Sequence, residues 1–392
     1  MAIHSVEPNG IRNTTAAVGS NTAHMGNHHG LGQLVSALNG QVTANGTGTT
    51  ATDQAPKLQN GNDTSKSTAE SKLPIYRTLF SSSLLRSSTR TIPPSPWAPA
   101  CHRLVDHVTR DVDSWFLDNW PFPNDNARQG FVNAGFSRVT CLYYPLAKDD
   151  RIHFACRLLT ILFLVDDILE HMSFEDGEAY NARLMPIARG DVLPDRTIAV
   201  EFMFYDLWES MRAHDKELAD EVLEPTFVFM RAQTDKARKE IIEIGQYLEY
   251  REKDVGKALL SALMRFVMDL HLTAAELEEI KPAEKNCAKH ISIVNDIYSW
   301  EKELKQSKAS QEEGSYLCSA VRVLADSTGL DVEAGKACLW TMVREWELKH
   351  EILCSEQHVS TPYNKAKLLY LKGLEYQMSG NELWSRTTPR YM

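Results

Sequence analysis

The stretch Leu158-Leu159-Thr160-Ile161-Leu162-Phe163-Leu164-Val165-Asp166-Asp167-Ile168-Leu169-Glu170 is apolar around nearly its whole circumference and then meets acids. A run so uniformly apolar reads as a buried helix, and it is much shorter than the roughly 20 residues a membrane-spanning helix needs. At helical spacing Leu162, Asp166 and Glu170 share one face, with Phe163 one turn below Asp166, so the carboxylates sit above an apolar wall. Carboxylates so close repel one another unless a cation lies among them. Taken alone, such a DDxxE is more often a solvated helix end.

A second interruption changes that balance. Asn295, Asp296, Ile297, Tyr298, Ser299, Trp300, Glu301, Lys302 and Glu303 lie on a helical pattern that begins near Ala283. Asn295, Ser299 and Glu303 fall at four-residue steps, each turned by only about 40° from the last, so all three look the same way. Ala288 and Ile291 precede them on that side, which puts oxygen ligands where apolar groups also point. Three oxygen side chains, one of them charged, form a partial shell suited to Mg²⁺, which keeps waters and takes phosphate oxygens from a substrate. The absence of clustered cysteine or histidine argues against zinc.

The rest of the chain supports one helical unit behind a long tail. Helical periods cover Leu104 to Phe116 and roughly Asp150 to His171, Glu201 to Ala213, Pro225 to Arg251, Val255 to Leu270, Ala283 to Lys305, Val332 to Cys354 and Lys365 to Gln377. No strand alternation with hairpin turns accompanies them, so the fold class is all-α: helices packed around a central space. Residues 1 to about 72 are Gly, Asn, Thr, Ser and Ala with few large apolar side chains, too little to offset ordering entropy. The proline cluster from Ile92 to Trp97 closes that region. The chain therefore divides into a disordered, low-complexity tail, 1–92, and a single α-helical domain, 93–392.

Composition narrows the function classes. Of 392 residues 43% are hydrophobic and 24% charged, enough for one large core. A net charge of -10 argues against a nucleic-acid partner. The seven cysteines are scattered without metal-ligand spacing and read as reduced core residues of a cytoplasmic protein. Neither a secretory signal nor a membrane span is expected.

The pairing of Asp166-Asp167-Ile168-Leu169-Glu170 with Asn295 through Glu303, more than a hundred residues apart, resembles the two metal motifs of class I terpene synthases. Flanking text from Cys141 to Asp150 and from Leu248 to Arg265 adds to the likeness, which runs from about Pro94 to Tyr391. The resemblance implies a class I terpenoid synthase helical bundle around an apolar active-site cavity. Asp166 would be the principal carboxylate ligand, bridging two of three Mg²⁺ ions, and Asn295, Ser299 and Glu303 would hold the third. Asp167 and Glu170 would support the first motif; Glu170 stands where the family often has Asp. The resemblance further implies that Arg251, Lys302, Arg390 and Tyr391 bind the substrate diphosphate, the last two on a C-terminal lid that folds down when substrate arrives. It implies farnesyl diphosphate as substrate, cyclised through a ten-membered germacrene-type intermediate to a bicycle by a lyase, and a homodimer.

An ionised isoprenoid needs a dry pocket with weak, non-nucleophilic stabilisation, which aromatic faces provide. Phe163 is the candidate read from spacing; Phe229, Trp384 and Tyr143 join it by resemblance, Tyr143 also as a proton relay. Two other readings stand beside this one. A chain-elongating prenyltransferase would carry a second aspartate-rich motif where Asn295 to Glu303 stands. A non-catalytic helical scaffold would leave both acidic motifs in solvent.

Overall fold

The structure, a computed structural model, describes residues 92–360 and 364–391. Apart from Ile92, the tail expected to be disordered lies outside the described residues. In chain order the helices are α1 (Val105–Asn119), α2 (Asp125–Ala134), α3 (Phe136–Tyr143), α4 (Ile152–Leu169), α5 (Phe174–Arg189), α6 (Ala199–His214) and α7 (Lys216–Ala232). They continue with α8 (Ile244–Asp254), α9 (Lys257–Met268), α10 (Ala274–Ala309), α11 (Ala320–Thr328), α12 (Val332–Ser360) and α13 (Lys365–Thr387). Short 3₁₀ turns lie at Lys236–Lys239, Glu313–Ser315 and Pro389–Tyr391. No strand occurs among the described residues, so the all-α expectation holds.

Two helices position the site, and both are held on more than one side. On α4, Leu158, Ile161 and Val165 are wholly buried in the main core together with residues of α1, α3, α6, α9 and α13. Helix α10 opens with a capping box, in which the Thr273 hydroxyl accepts from the Glu276 N–H and Glu276 returns a bond to the Thr273 N–H. Its first half joins the main core through Ile280, Ala283, Cys287 and Ile291. Its second half enters a separate core, where Ile293, Val294, Ile297 and Trp300 pack with Leu317, Val321, Leu339 and Val343. A helix wedged between two cores cannot rotate, and that fixes which side chains it turns to the cavity.

Several expectations need correction. The helix expected from Pro225 to Arg251 is two helices: α7 ends at Ala232, and the Asp235 side chain accepts from the Ala237 N–H to start a 3₁₀ turn before α8. Such local side-chain bonds compete with helix continuation. Helix α10 begins nine residues earlier than Ala283, running through Pro282. Helix α13 continues past Gln377 to Thr387. Its buried side there mixes Met378 and Trp384 with Ser379, Gly380, Asn381 and Ser385, which dilutes the apolar period. A Cβ on Gly380 would lie 2.5 Å from the Leu142 carbonyl oxygen, so glycine is what lets α13 approach α3. The cysteines are all free, but only Cys141, Cys156 and Cys287 are buried; Cys101 and Cys338 are exposed.

One buried acid weakens the fold at neutral pH. Asp113 on α1 is 9% exposed and accepts a hydrogen bond from the Ser137 hydroxyl at 3.2 Å. Burial pushes its carboxyl up to about 6. Because the folded state holds this proton more tightly than the unfolded chain, stability falls as pH rises from about 4 through 6, by up to roughly 3 kcal/mol. Asp113→Asn keeps an acceptor for Ser137 and removes the charge. Thermal unfolding is expected to show this variant a few degrees more stable than the parent at about pH 7.5, with the gap closing by about pH 4; a gap independent of pH would contradict the assignment.

Candidate active site

A cavity of about 220 Å³ opens between α4, α8, α9, α10 and α13. Its floor is apolar, with Leu159, Leu162, Phe163, Phe229, Leu259 and Trp384 among the lining residues. Its rim is polar, with Asp166 and Glu170 from α4 and its end on one side and Asn295, Lys302 and Glu303 from α10 on another. The two motifs that were far apart in sequence thus border one space.

The acids at the end of α4 are crowded. Burial, followed by the charges of Glu170 and Asp167, pushes the Asp166 carboxyl up to about 7. Gln233 Nε2 donates to Asp166 Oδ1 at 2.8 Å. Glu170 accepts from Gln306 and lies 3.6 Å from the Lys302 ammonium. Asp167 does not border the cavity; both its oxygens accept from the Arg390 guanidinium, at 2.5 and 3.2 Å.

Across the rim, Asn295 donates to the Tyr391 hydroxyl at 2.7 Å and accepts from Arg251 Nη2 at 2.9 Å. The Ser299 Oγ is buried one turn on without a hydrogen-bond partner. Glu303 borders the cavity and makes no ion pair among those the structure shows. An orphaned hydroxyl, a carboxylate without an ion pair and a carboxyl raised by burial and like charge are hard oxygen donors, and the residues therefore fit a metal such as Mg²⁺.

The basic groups converge on the same end. Arg251 pairs with Asp254, Asn295 and Asp296, while its Nε is buried without a partner. Burial would lower this guanidinium's pKa, but Tyr247, Asp254 and Asp296 around it raise it well above the ordinary value. Arg390 sits 5.3 Å over the Phe136 ring, and the Tyr391 ring meets Trp384 edge-on at 5.4 Å. The C-terminal pair was expected to fold down on substrate arrival; here it already lies on the rim, held by Asp167 and Asn295.

The aromatic floor is fixed by its neighbours. Phe163 stacks on Phe136 at 4.6 Å and 12°. Trp384 is anchored by a bond from its Nε1 to the Ala134 carbonyl at 3.2 Å, and the Phe229 ring packs against Gly256. Tyr143 donates its hydroxyl proton to Asn381 Oδ1 at 2.8 Å, and Asn381 Nδ2 is in turn committed to the Ile291 carbonyl at 3.1 Å. Burial pushes the Tyr143 phenol far up, so the ring stays neutral.

Every site residue singled out in the sequence borders this cavity except Asp167, which is paired with Arg390 of the rim, and Ser299, which is buried one turn along α10 from Asn295. Sequence reading missed Gln233, Asp254 and Asn381, all of which line the cavity. Gln233 was hidden by the mistaken continuous helix. Asn381 left a faint signal, as an amide one turn from Met378 and Trp384 on the buried side of the last helix.

Comparison with known proteins agrees with this geometry. Residues 157–348 match the family model described as "Terpene synthase family 2, C-terminal metal binding". Aristolochene synthase of Penicillium roqueforti is 63% identical over 305 residues, spanning 78% of this chain and 89% of that protein. Aristolochene synthase of Aspergillus terreus is 59% identical over 305 residues, spanning 78% and 95%. The crystal structure of the P. roqueforti aristolochene synthase superposes with a TM-score of 0.68 at 62% identity, covering 76% of this chain and 100% of that one. Hedycaryol synthase in complex with nerolidol, at 16% identity and a TM-score of 0.62 over 75% and 99% of the two chains, shares the fold.

The raised Asp166 carboxyl gives the site a pH signature. Below about pH 7 the cation-free protein keeps this proton, and an entering divalent cation must displace it. Calorimetric titration is expected to show metal affinity rising with pH up to about 7 and then levelling, with a heat that depends on the buffer's ionisation enthalpy. A buffer-independent heat would rule out proton release at this carboxyl.

Proposed function

Because this chain belongs to the terpene synthase family and has its class I fold, we propose that it is a sesquiterpene cyclase that converts farnesyl diphosphate to aristolochene and diphosphate. The observation that carries the reading is the meeting of two oxygen-donor motifs and a cluster of cations at the mouth of one apolar, aromatic-floored cavity.

Asp166 on one side and Asn295, Ser299 and Glu303 on the other would hold the metal, which we take as Mg²⁺, with the three ions that the family resemblance implies. When bound, Mg²⁺ supplies Lewis acidity to the departing diphosphate. Arg251, Lys302, Arg390 and Tyr391 receive the same anion; Arg390 and Tyr391 exchange their present partners, Asp167 and Asn295, for diphosphate oxygens. Guanidinium groups offer paired donors to such oxygens, and charge-assisted bonds of this kind are the strong ones. Asp167 and Glu170 act behind this set, each holding a cation that borders the rim.

Ionisation leaves an allylic cation over the aromatic floor. Phe163, Phe229 and Trp384 present faces that stabilise positive charge by about 0.5 to 2 kcal/mol each without trapping it. The rings are held in place by Phe136, Gly256 and Ala134, so their positions do not relax with each rearrangement. The Tyr143 hydrogen is directed to Asn381, which leaves the oxygen's lone pairs as its polar contribution to the cavity. Cyclisation to a germacrene-type intermediate, reprotonation, closure, hydride and methyl shifts and deprotonation complete the path to aristolochene. No described helix is long and apolar enough to cross a membrane. The same family likeness supports a cytoplasmic homodimer.

Incubation of the purified protein with farnesyl diphosphate and Mg²⁺, followed by mass spectrometry of the volatiles, is expected to yield aristolochene. Asp166→Asn and Asn295→Ala are each expected to lower turnover by roughly two orders of magnitude or more while leaving the fold intact. Undiminished turnover in either variant would show that the metal assignment is wrong, and absence of any volatile hydrocarbon would overturn the functional reading.

A further inference from the structure

Asp296 belongs to the second motif by sequence but turns away from the cavity. It has no exposed surface, and its three partners come from two other helices, α8 and α11. One oxygen accepts from the Tyr247 hydroxyl on α8 and, at 2.8 Å, from the backbone N–H of Ala320, the first residue of α11. The other oxygen lies 3.3 Å from Arg251 Nη2, the same nitrogen that donates to Asn295 at 2.9 Å. A buried carboxylate survives only where charge and hydrogen bonds surround it, so its position is dictated by these three contacts.

The converse also holds. The Arg251 guanidinium has Asp254 on Nη1 and Asp296 with Asn295 on Nη2, so Asp296 is one of the two acids that set the plane of the group. Ala320 follows Tyr316, Leu317 and Cys318, which border the cavity, with one residue, Ser319, between. An acid accepting from the first N–H of a helix is favoured by the aligned peptide dipoles, and this bond ties that border to the motif helix. Ser319 satisfies the next N–H, of Val321, so the two side chains together close the start of α11.

We propose that Asp296 is a positioning residue for the diphosphate end of the cavity: it aims Arg251 and anchors the Tyr316–Cys318 border to the helix that carries Asn295 and Ser299. This inference rests on the reading of Arg251 as a diphosphate ligand. Asp296 touches no substrate atom and acts through Arg251.

The test is a double-mutant cycle on the binding of inorganic diphosphate in the presence of Mg²⁺, measured by calorimetry on the full chain with thermal midpoints recorded alongside. Asp296→Asn keeps acceptors for Tyr247 and Ala320 but cannot balance the guanidinium. It is expected to weaken diphosphate binding by about tenfold or more in the parent, and by less than about twofold once Arg251→Ala is present. Its KM for farnesyl diphosphate is expected to rise along with a fall in kcat, whereas a purely structural role would lower the midpoint and leave diphosphate affinity of the folded fraction unchanged. Tyr247→Phe, which loosens Asp296 while keeping its charge, replaces Asp296→Asn under the same criteria if that variant does not fold. Equal losses in both Arg251 backgrounds would overturn the role assigned to Asp296 and leave the site intact; an Arg251→Ala variant that binds diphosphate normally would overturn the site reading itself.

Discussion

Asp166 ends an apolar helix run beside two more acids, in surroundings that burial and like charge make hostile to a third negative group, so its carboxyl rises to about 7. The rest of the site follows from that unresolved charge. Lys302 is drawn to Glu170, Arg390 to Asp167, and Gln233 to Asp166 itself, yet α10 still carries an orphaned Ser299 hydroxyl and, bordering the cavity, a Glu303 in no ion pair among the described residues. A protein that stabilised itself alone would have paired or removed these groups. Retaining them next to a greasy cavity makes sense for a ligand that is both cationic and anionic, such as a metal-bound diphosphate with an apolar tail.

The division of labour inside the cavity follows from the same contrast. Polar donors lie at the rim and aromatic faces at the floor, so charge separation on ionisation runs along the cavity with each product in a suitable environment. The floor rings are pinned by bonds and stacks to their neighbours: Phe163 on Phe136, the Trp384 Nε1 on Ala134, Tyr143 on Asn381. Rigid packing of this kind keeps the contour constant while the substrate changes shape. The second core around Trp300 and Val343 holds α10 from behind, and four-residue spacing along that helix brings Asn295 and Glu303 to the cavity with Ser299 buried between them.

Much of this was legible in the sequence, and the reason is periodicity. Asp166 and Glu170 interrupt an apolar helix, and Asn295, Ser299 and Glu303 repeat at helical steps; both are local patterns that survive without any knowledge of tertiary contacts. The roles of Arg251, Arg390 and Tyr391 were carried by family likeness alone, since an arginine on a helix or at a chain end has no local signature of its target. What stayed hidden depended on long-range contacts or weak patterns. Gln233 faces Asp166 only because α7 stops at Ala232, and the stop is made by Asp235, whose capping role competes invisibly with helix propensity. Asn381 lies on a stretch of α13 where small and polar residues stand between the buried Met378 and Trp384, and α3 comes close there at Gly380. Asp296 sits inside a recognised motif, but its three partners come from α8 and α11 and could not be read from spacing.

The central claim is that the end of α4 and the middle of α10 hold divalent cations between them over the apolar cavity. A crystal structure of the protein grown with Mn²⁺ and inorganic diphosphate, with anomalous scattering recorded, tests it most directly. Anomalous peaks are expected beside Asp166 and beside the Asn295, Ser299 and Glu303 side chains, with diphosphate oxygens between them and Arg251. Peaks confined to surface acids, with the space between Asp166 and Ser299 holding no metal, would contradict the account.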